Sequence, residues 1–225
     1  MSPRVLFVYT SANKTLTGSP TGWWMSEAAH LYYLLQGKVE IDFASPKGPN
    51  PPVDEFSTKG ALDDESARFW IDAEVREKLA SAKKLADVDP NDYDAVFYVG
   101  GHGPMLDLAT DPDNIKLADA FFQAGKITSA VCHGPGALVG VTDASGKSIF
   151  ASRNVTGLSN SEEEIYDGKR HIPFLLEDRI KELGGKYSKG AEPFAVHVVV
   201  DGNVITGQNP SSARAVGEAI LKALS

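Results

Sequence analysis

The chain is organised around the stretch Ala130-Val131-Cys132-His133-Gly134-Pro135-Gly136. It ends an apolar, partly β-branched segment, residues 127–131, which predicts a buried strand. Beyond the glycines, Ala137-Leu138-Val139 predicts the start of a helix, in whose first turn Pro135 is tolerated. A nucleophile at a sharp strand-to-helix turn has the geometry of a nucleophile elbow. The stretch therefore predicts an elbow with Cys132 at its apex.

Cys132 is the only cysteine among the 225 residues. A lone cysteine is ordinarily a small buried hydrophobe, and this interpretation competes with a catalytic one. An elbow exposes its side chain at the carboxyl end of a sheet, where a following helix N-terminus favours the reactive thiolate. The adjacent His133 and the glycines beyond it, which allow backbone and substrate to approach closely, favour the catalytic interpretation. We therefore predict that Cys132 is a nucleophile.

The composition narrows the class of protein. A chain of 225 residues with 42% hydrophobic and 23% charged residues can bury a sizeable core, as a globular protein does. The net charge of −8 argues against a nucleic-acid partner, because phosphate binding needs a basic face. No apolar run reaches membrane-spanning length, so we expect no membrane partner. A single cysteine excludes an internal disulfide framework, and the N-terminus lacks a signal-peptide core, so we expect a cytoplasmic protein.

Predicted strands and helices alternate along the chain. The predicted strands are residues 5–9, 39–43, 93–99 and 127–131, with a hairpin over 196–206. The predicted helices are residues 23–35, 113–124, 159–166, 172–183 and 211–224. Such alternation implies βαβ units and a mostly parallel sheet covered on both faces, an α/β three-layer sandwich. Ligands of such folds bind beyond the carboxyl ends of the strands.

We expect residues 1–225 to form a single domain, because no linker separates two cores. Residues 45–91 are predicted to be a helical and irregular insertion. Four prolines between residues 45 and 56 indicate an irregular crossing. A long amphipathic helix is predicted from Asp63 to about Leu85, with an acidic start that suits the helix dipole.

Glu27 is a candidate proton carrier. A helix glutamate is ordinarily solvated, and that is the competing interpretation. Its flanks, Trp23-Trp24 and Ala28-Ala29, are apolar, however, which indicates partial burial. A buried carboxyl has a raised pKa and can donate and accept protons near neutral pH.

Three further features accompany Cys132, and each has two interpretations. His133 is a candidate base for the thiol, although adjacent side chains often point apart. Gly100-Gly101-His102-Gly103 forms either a simple turn or an oxyanion hole built from backbone N–H groups. Glu162-Glu163-Glu164 either stabilises a helix N-terminus or supplies a carboxylate that orients a histidine.

Four motifs carry a family resemblance: residues 100–104 (Gly-Gly-His-Gly-Pro), 130–135 (Ala-Val-Cys-His-Gly-Pro), 155–157 (Val-Thr-Gly) and 205–212 (Ile-Thr-Gly-Gln-Asn-Pro-Ser-Ser). Over nearly its whole length the chain resembles the ThiJ/PfpI superfamily, which has the class I glutamine amidotransferase-like fold. The long segment between residues 45 and 91 resembles the heat-shock chaperone-like branch, the glutathione-independent glyoxalases of the glyoxalase III type.

The resemblance implies a role for each candidate. Cys132 corresponds to the nucleophile, Glu27 to the carboxyl that hydrogen-bonds its thiolate and His133 to the imidazole partner. Glu163 best matches the third member of the triad, six residues after Gly157, while a shift of one residue leaves Glu162 or Glu164 open.

The backbone N–H groups of Gly101 and His133 correspond to the oxyanion hole. His102 and Trp24 are expected beside the substrate, where Trp23-Trp24 is expected to narrow the pocket. The metal site of some bacterial relatives has no clear counterpart, so we expect no metal and no other cofactor. We interpret the remaining histidines as structural or surface residues: His30, His171 and His197.

The resemblance further implies a homodimer that converts methylglyoxal, or a similar small 2-oxoaldehyde, to a 2-hydroxy acid such as lactate. Whether Glu27 or His133 is the working base stays open. So do two other classes of function. One is a cysteine peptidase, or an amide or isonitrile hydrolase, of the same superfamily. The other is a non-enzymatic stress chaperone or redox sensor in which Cys132 is oxidised.

Overall fold

The computed structural model describes residues 2–60 and 62–225. In this part of the chain the strands of the main sheet are β1 (Arg4–Val8), β2 (Glu40–Ser45), β3 (Lys83–Lys84), β4 (Ala95–Tyr98), β5 (Ile127–Val131), β8 (Val198–Asp201) and β9 (Val204–Gly207). They are ordered β3-β2-β1-β4-β5-β9-β8, and only the β8–β9 pair is antiparallel. A separate parallel pair is formed by β6 (Asn154–Val155) and β7 (Lys186–Tyr187).

The helices are α1 (Met25–Leu35), α2 (Asp64–Ile71), α3 (Ala73–Ala80), α4 (Gly103–Leu106), α5 (Pro112–Gln123), α6 (Asn160–Ile165), α7 (Leu176–Glu182) and α8 (Ala213–Leu224). Among the described residues, none of these helices is long and apolar enough to cross a membrane. The predicted class, a mostly parallel sheet with helices on both faces, is confirmed.

Strand β1 shows why the sheet is covered on both sides. Alternate side chains of a strand point to opposite faces. Val5 and Phe7 accordingly pack into the core that contains Leu31 of α1, whereas Leu6 and Val8 pack into the opposite core. Because both faces are buried, the strand is a continuous apolar run without polar alternation.

Strands β1, β4 and β5 lie side by side and run in the same direction. Their carboxyl ends therefore meet at one edge of the sheet, where a parallel α/β fold binds its ligands. The loops that follow them, residues 9–24, 99–102 and 132–133, converge at this edge.

The predicted long helix from Asp63 to about Leu85 is wrong. The structure has α2 and α3 instead, separated at Asp72, which is extended with φ −64° and ψ 121°. The Asp72 carboxylate accepts a hydrogen bond from the Glu74 N–H and so caps α3. An aspartate that can bond its own backbone competes with helix continuation, and here that local interaction dominates.

The helix predicted over residues 172–183 is α7, which begins later than predicted, at Leu176. Ile172 is extended with φ −121° and ψ 153°. The following Pro173 disfavours the helical region for the residue before it, so a helical start at Ile172 is excluded.

Candidate active site

Cys132 lies at the sharp turn that follows β5. Its φ of 60° falls in the left-handed region, which is rare for a residue other than glycine and costs about 1–3 kcal/mol. Two backbone hydrogen bonds hold this turn: the Cys132 N–H donates to the Gly207 carbonyl, and its carbonyl accepts from the Leu158 N–H. The predicted strand and sharp turn are therefore present, and the strain falls on the nucleophile itself.

The segment after the turn differs from the prediction. Residues Gly134–Leu138 form a short 3₁₀ helix, and the Cys132 side chain is buried. Burial and the neighbouring Glu27 carboxylate raise the pKa of the Cys132 thiol. The expectation of an exposed thiol made acidic by a helix N-terminus is thus wrong. Instead, the backbone N–H groups of Gly101 and His133 donate to the sulfur and oppose the rise in its pKa.

Glu27 lies in the first turn of α1 and is completely buried. Burial raises the pKa of its carboxyl to about 8, against the opposing effect of hydrogen bonds with Cys132 and Gly100. The Gly100 N–H donates to Oε2 at 2.7 Å. The other oxygen, Oε1, is buried without a hydrogen-bond partner among the described residues.

The close approach of these groups requires glycine at position 100. A Cβ atom there would lie 2.5 Å from Glu27 Oε2 and 2.8 Å from Cys132 Cβ. The backbone that follows β4 can therefore pass directly over Glu27 and Cys132, because Gly100 has no side chain.

Glu27 and Cys132 are two neighbouring buried acids, and burial raises the pKa of both. If Glu27 is ionised, its charge opposes formation of the Cys132 thiolate. If Glu27 carries the proton, that repulsion is absent, and the carboxyl O–H can donate to the sulfur anion. We infer that the reactive form pairs a neutral Glu27 with a Cys132 thiolate.

His133 lies between the thiol and a carboxylate. Its Nδ1 is 3.5 Å from Cys132 Sγ, and its Nε2 is 2.6 Å from Glu163 Oε2. Although burial favours a neutral carboxyl, the charges and hydrogen bonds of His133 and His102 hold the pKa of Glu163 well below its usual range. The carboxylate fixes the imidazole orientation, as the third member of a nucleophile triad does. Of the three neighbouring glutamates, it is Glu163 that the structure places against His133.

Glu162 has a different set of contacts. It completes a capping box with Ser159 at the start of α6. It also accepts hydrogen bonds from the side-chain amides of Gln208 and Asn209 and from the Phe194 N–H, each at 2.8 Å. It therefore anchors the helix that carries Glu163 to the loop after β9. The third glutamate, Glu164, is exposed.

The sequence placed His102 beside the substrate but did not indicate the contact of its imidazole with Glu163. Its Nε2 is 2.9 Å from Glu163 Oε1, and its ring centroid is 4.5 Å from that of His133. The donor atoms of these three residues lie within 4.8 Å of one another, so they are a group that could ligate a metal ion. Each is already engaged by a hydrogen bond to another member, and the absence of a metal stays a prediction.

A cavity of about 450 Å³ opens above the thiol. Five of the predicted site residues lie on its wall: Trp24, Gly101, His102, Cys132 and His133. The other two, Glu27 and Glu163, do not line the cavity. The wall residues that were not predicted include Phe56, Tyr166 and His171. They come from separate loops without a common motif, so only the folded chain brings them together.

Tyr166 packs between Trp24, at 5.9 Å between ring centroids in a tilted arrangement, and Phe194, at 5.3 Å in an edge-to-face arrangement. Of the predicted pair Trp23-Trp24, only Trp24 lies on the cavity wall, whereas Trp23 is buried in the core. His171, which the sequence indicated to be structural or at the surface, instead lines the cavity and hydrogen-bonds Thr17 through Nδ1.

At the carboxyl edge of a parallel α/β sheet, the structure brings together three features: the strained turn at Cys132, the buried carboxyl of Glu27 and the His133–Glu163 pair. This combination is typical of proteins with a nucleophilic cysteine. Residues 33–223 match the DJ-1/PfpI family, and the chain belongs to that family. The resemblance to the ThiJ/PfpI superfamily is therefore confirmed.

Curated relatives and solved structures match along almost the whole chain. "Glyoxalase 3" of Candida albicans is 30% identical, with 98% of each chain covered. "Glutathione-independent glyoxalase HSP31" of Saccharomyces cerevisiae is 29% identical, covering 100% of this chain and 99% of the relative. The crystal structure of Rapid Encystment Protein 24 kDa from Francisella tularensis superposes with a TM-score of 0.93 at 34% identity, and 99% of each chain is covered. That of glyoxalase III from Candida albicans gives 0.88 at 29% identity, covering 99% of this chain and 97% of that one.

The raised pKa of Glu27 predicts that Glu27→Gln stabilises the protein, and more so at higher pH. Below the unfolded pKa of about 4.5 the carboxyl is protonated in both states and costs nothing. As the pH rises towards about 8, the unfolded state ionises while the folded state holds its proton, so stability is lost. The glutamine side chain of the variant cannot ionise, so the variant should gain about 4 kcal/mol over the native protein at pH 8.

Urea unfolding of both proteins near pH 5 and at pH 8 measures this difference, with the exposed Glu164→Gln as the matched control. A difference between native and Glu27→Gln proteins that does not grow with pH would contradict the assignment.

Proposed function

We propose that the chain is a glutathione-independent glyoxalase, a lyase without a cofactor that converts methylglyoxal or a similar 2-oxoaldehyde to a 2-hydroxy acid such as lactate. One observation carries this proposal: a buried thiol lies between a carboxyl with a pKa of about 8 and an imidazole paired with a carboxylate. The isomerisation needs such a nucleophile with proton carriers and no electron acceptor. The names of the relatives and their coverage of the whole chain support it.

In the first step the Cys132 thiolate adds to the aldehyde carbon, and Glu27 transfers its proton to the resulting oxygen. The product is a hemithioacetal. The N–H groups of Gly101 and His133, which hydrogen-bond the sulfur of the free protein, lie where they can donate to that oxygen as charge develops.

In the second step the ionised Glu27 removes the proton from the former aldehyde carbon and delivers it to the neighbouring carbon through an enediol. The two oxygens exchange a proton, for which the His133 imidazole is available, and a Cys132 thioester of the hydroxy acid results. Glu27 suits the carbon proton because a base with a pKa near the working pH both accepts and returns it efficiently. Hydrolysis of the thioester releases the product.

The cavity suits a small substrate that enters whole. The Cys132 side chain is only 2% exposed, at the bottom of a space of about 450 Å³. A small aldehyde reaches this depth, whereas an extended peptide backbone is too bulky to do so. The geometry thus favours the glyoxalase over the peptidase that the sequence left open.

Three other expectations from the sequence stay proposals: a single domain with an insertion over residues 45–91, a cytoplasmic location and a homodimer. Light scattering of the purified protein tests the dimer.

Loss of the thiol should abolish turnover. Protein treated with a chelator should form lactate from methylglyoxal without glutathione, and Cys132→Ala should reduce this by at least about 1,000-fold, because no covalent adduct can form. An enzymatic lactate assay measures the product. A Ser129→Ala variant on the preceding strand is the control for altered packing near the elbow. Substantial lactate formation by Cys132→Ala would overturn the mechanism, and no formation by the native protein would redirect the search to amide or isonitrile substrates.

Substitution of Gly168 should lower activity as much as substitution of a residue that touches the substrate. A Cβ atom there would overlap Glu163 Oε1 and lie 2.9 Å from His102 Nε2. Gly168→Ala should therefore displace the carboxylate from both imidazoles and lower kcat/KM by about 100-fold. The neighbouring, exposed Lys169→Ala should be neutral. Steady-state kinetics and thermal melting of both variants provide the measurement, and full activity in a folded Gly168→Ala protein would show that the triad does not depend on this carboxylate.

A further inference from the structure

Glu163 serves two imidazoles at once. His133 Nε2 lies 2.6 Å from Oε2, and His102 Nε2 lies 2.9 Å from Oε1 of the same carboxylate. The chemistry proposed above uses only the first pair. The second histidine reproduces the arrangement of a base held by a carboxylate, with the two rings 4.5 Å apart.

The shared carboxylate fixes the proton positions on both rings. An ionised carboxylate only accepts hydrogen bonds, so each neutral imidazole must donate from Nε2. Nδ1 of each ring is then left without a proton and can act as a base. Nδ1 of His133 faces the Cys132 sulfur at 3.5 Å. Among the described residues, no hydrogen bond uses Nδ1 of His102.

The two histidines differ in their access to water. The His133 side chain is 3% exposed, whereas that of His102 is 18% exposed and lines the cavity. His102 also directly follows Gly101, whose N–H group points at the sulfur. An acyl group on Cys132, with its oxygen near that N–H, would therefore lie beside the His102 ring.

We propose that His102 is a second general base, which activates the water that hydrolyses the Cys132 thioester. This inference rests on the proposed function. His102 Nδ1 takes a proton from water as the water oxygen bonds to the thioester carbonyl carbon. The carbon–sulfur bond then breaks and returns the thiolate. The second proton of that water passes to the ionised Glu27, and His102 releases its proton to solvent, which restores the starting enzyme.

The other two proton carriers have different assignments in this cycle. Glu27 is completely buried and receives a proton at the end of the cycle. The unprotonated nitrogen of His133 is directed at the sulfur, which leaves as the anion. His102 is the group that combines a free basic nitrogen with contact to the cavity.

The variant His102→Gln distinguishes a role of His102 as a base from a role in positioning Glu163. The glutamine amide can still donate to Glu163 Oε1, but it cannot take a proton from water. Because kcat/KM reports steps up to the first irreversible one, it should stay within about 2-fold of the native value, while kcat and KM fall together by about 100-fold. Mass spectrometry of quenched reactions should find the hydroxyacyl group accumulated on Cys132. Hydroxylamine, which attacks thioesters without a base, should restore turnover as the hydroxamate.

His102→Ala removes both the base and the donor, and should lower kcat/KM as well. Equal losses of kcat and kcat/KM in His102→Gln, without an acyl group on Cys132, would overturn the proposal and leave His102 as a positioning residue. Native kinetics in His102→Gln would overturn it too. Absence of lactate from the native protein would instead refute the glyoxalase function itself, so the two failures are distinguishable.

Discussion

The structure of the site depends on the burial of two neighbouring acids, Glu27 and Cys132. Burial raises the pKa of both groups, and a negative charge on one opposes ionisation of the other. The fold supplies what the pair needs: a strained turn at the end of β5, a glutamate in the first turn of α1, and glycine at position 100, where a side chain would collide with both. The carboxyl of Glu27 is therefore neutral at neutral pH, so it does not oppose formation of the Cys132 thiolate.

A second constraint comes from the opposite side of the cavity. Glu163 orients two imidazoles, and it stays ionised because both donate to it. Its position is set by α6, which Glu162 anchors to residues 208 and 209. The two adjacent glutamates therefore have different roles: Glu162 holds α6 in place, and Glu163 contacts the two imidazoles. Together with Glu27, this supplies proton carriers on both sides of the sulfur, as an isomerisation followed by hydrolysis requires.

Much of this was predictable from the sequence, because strongly periodic elements and short-range motifs depend on few neighbours. The parallel sheet, the turn at Cys132 and the burial of Glu27 from its apolar flanks are of this kind. Interactions that depend on the folded chain were not predictable. The helical run is interrupted at Asp72, whose side chain accepts a hydrogen bond from the Glu74 N–H and so starts a new helix there. The burial of the thiol, the His102 imidazole on Glu163 and the aromatic wall at Tyr166 arise only when distant loops meet.

The most direct test of the central claim is infrared difference spectroscopy of the native protein against Glu27→Gln as a function of pH. A neutral, buried carboxylic acid has a C=O stretching band that a carboxylate lacks. At neutral pH the native protein should show this band and Glu27→Gln should not, and the band should disappear as the pH rises through about 8. Absence of a Glu27 carboxylic-acid band at neutral pH would mean that Glu27 is ionised beside the sulfur, and would contradict the account in which burial keeps this carboxyl protonated.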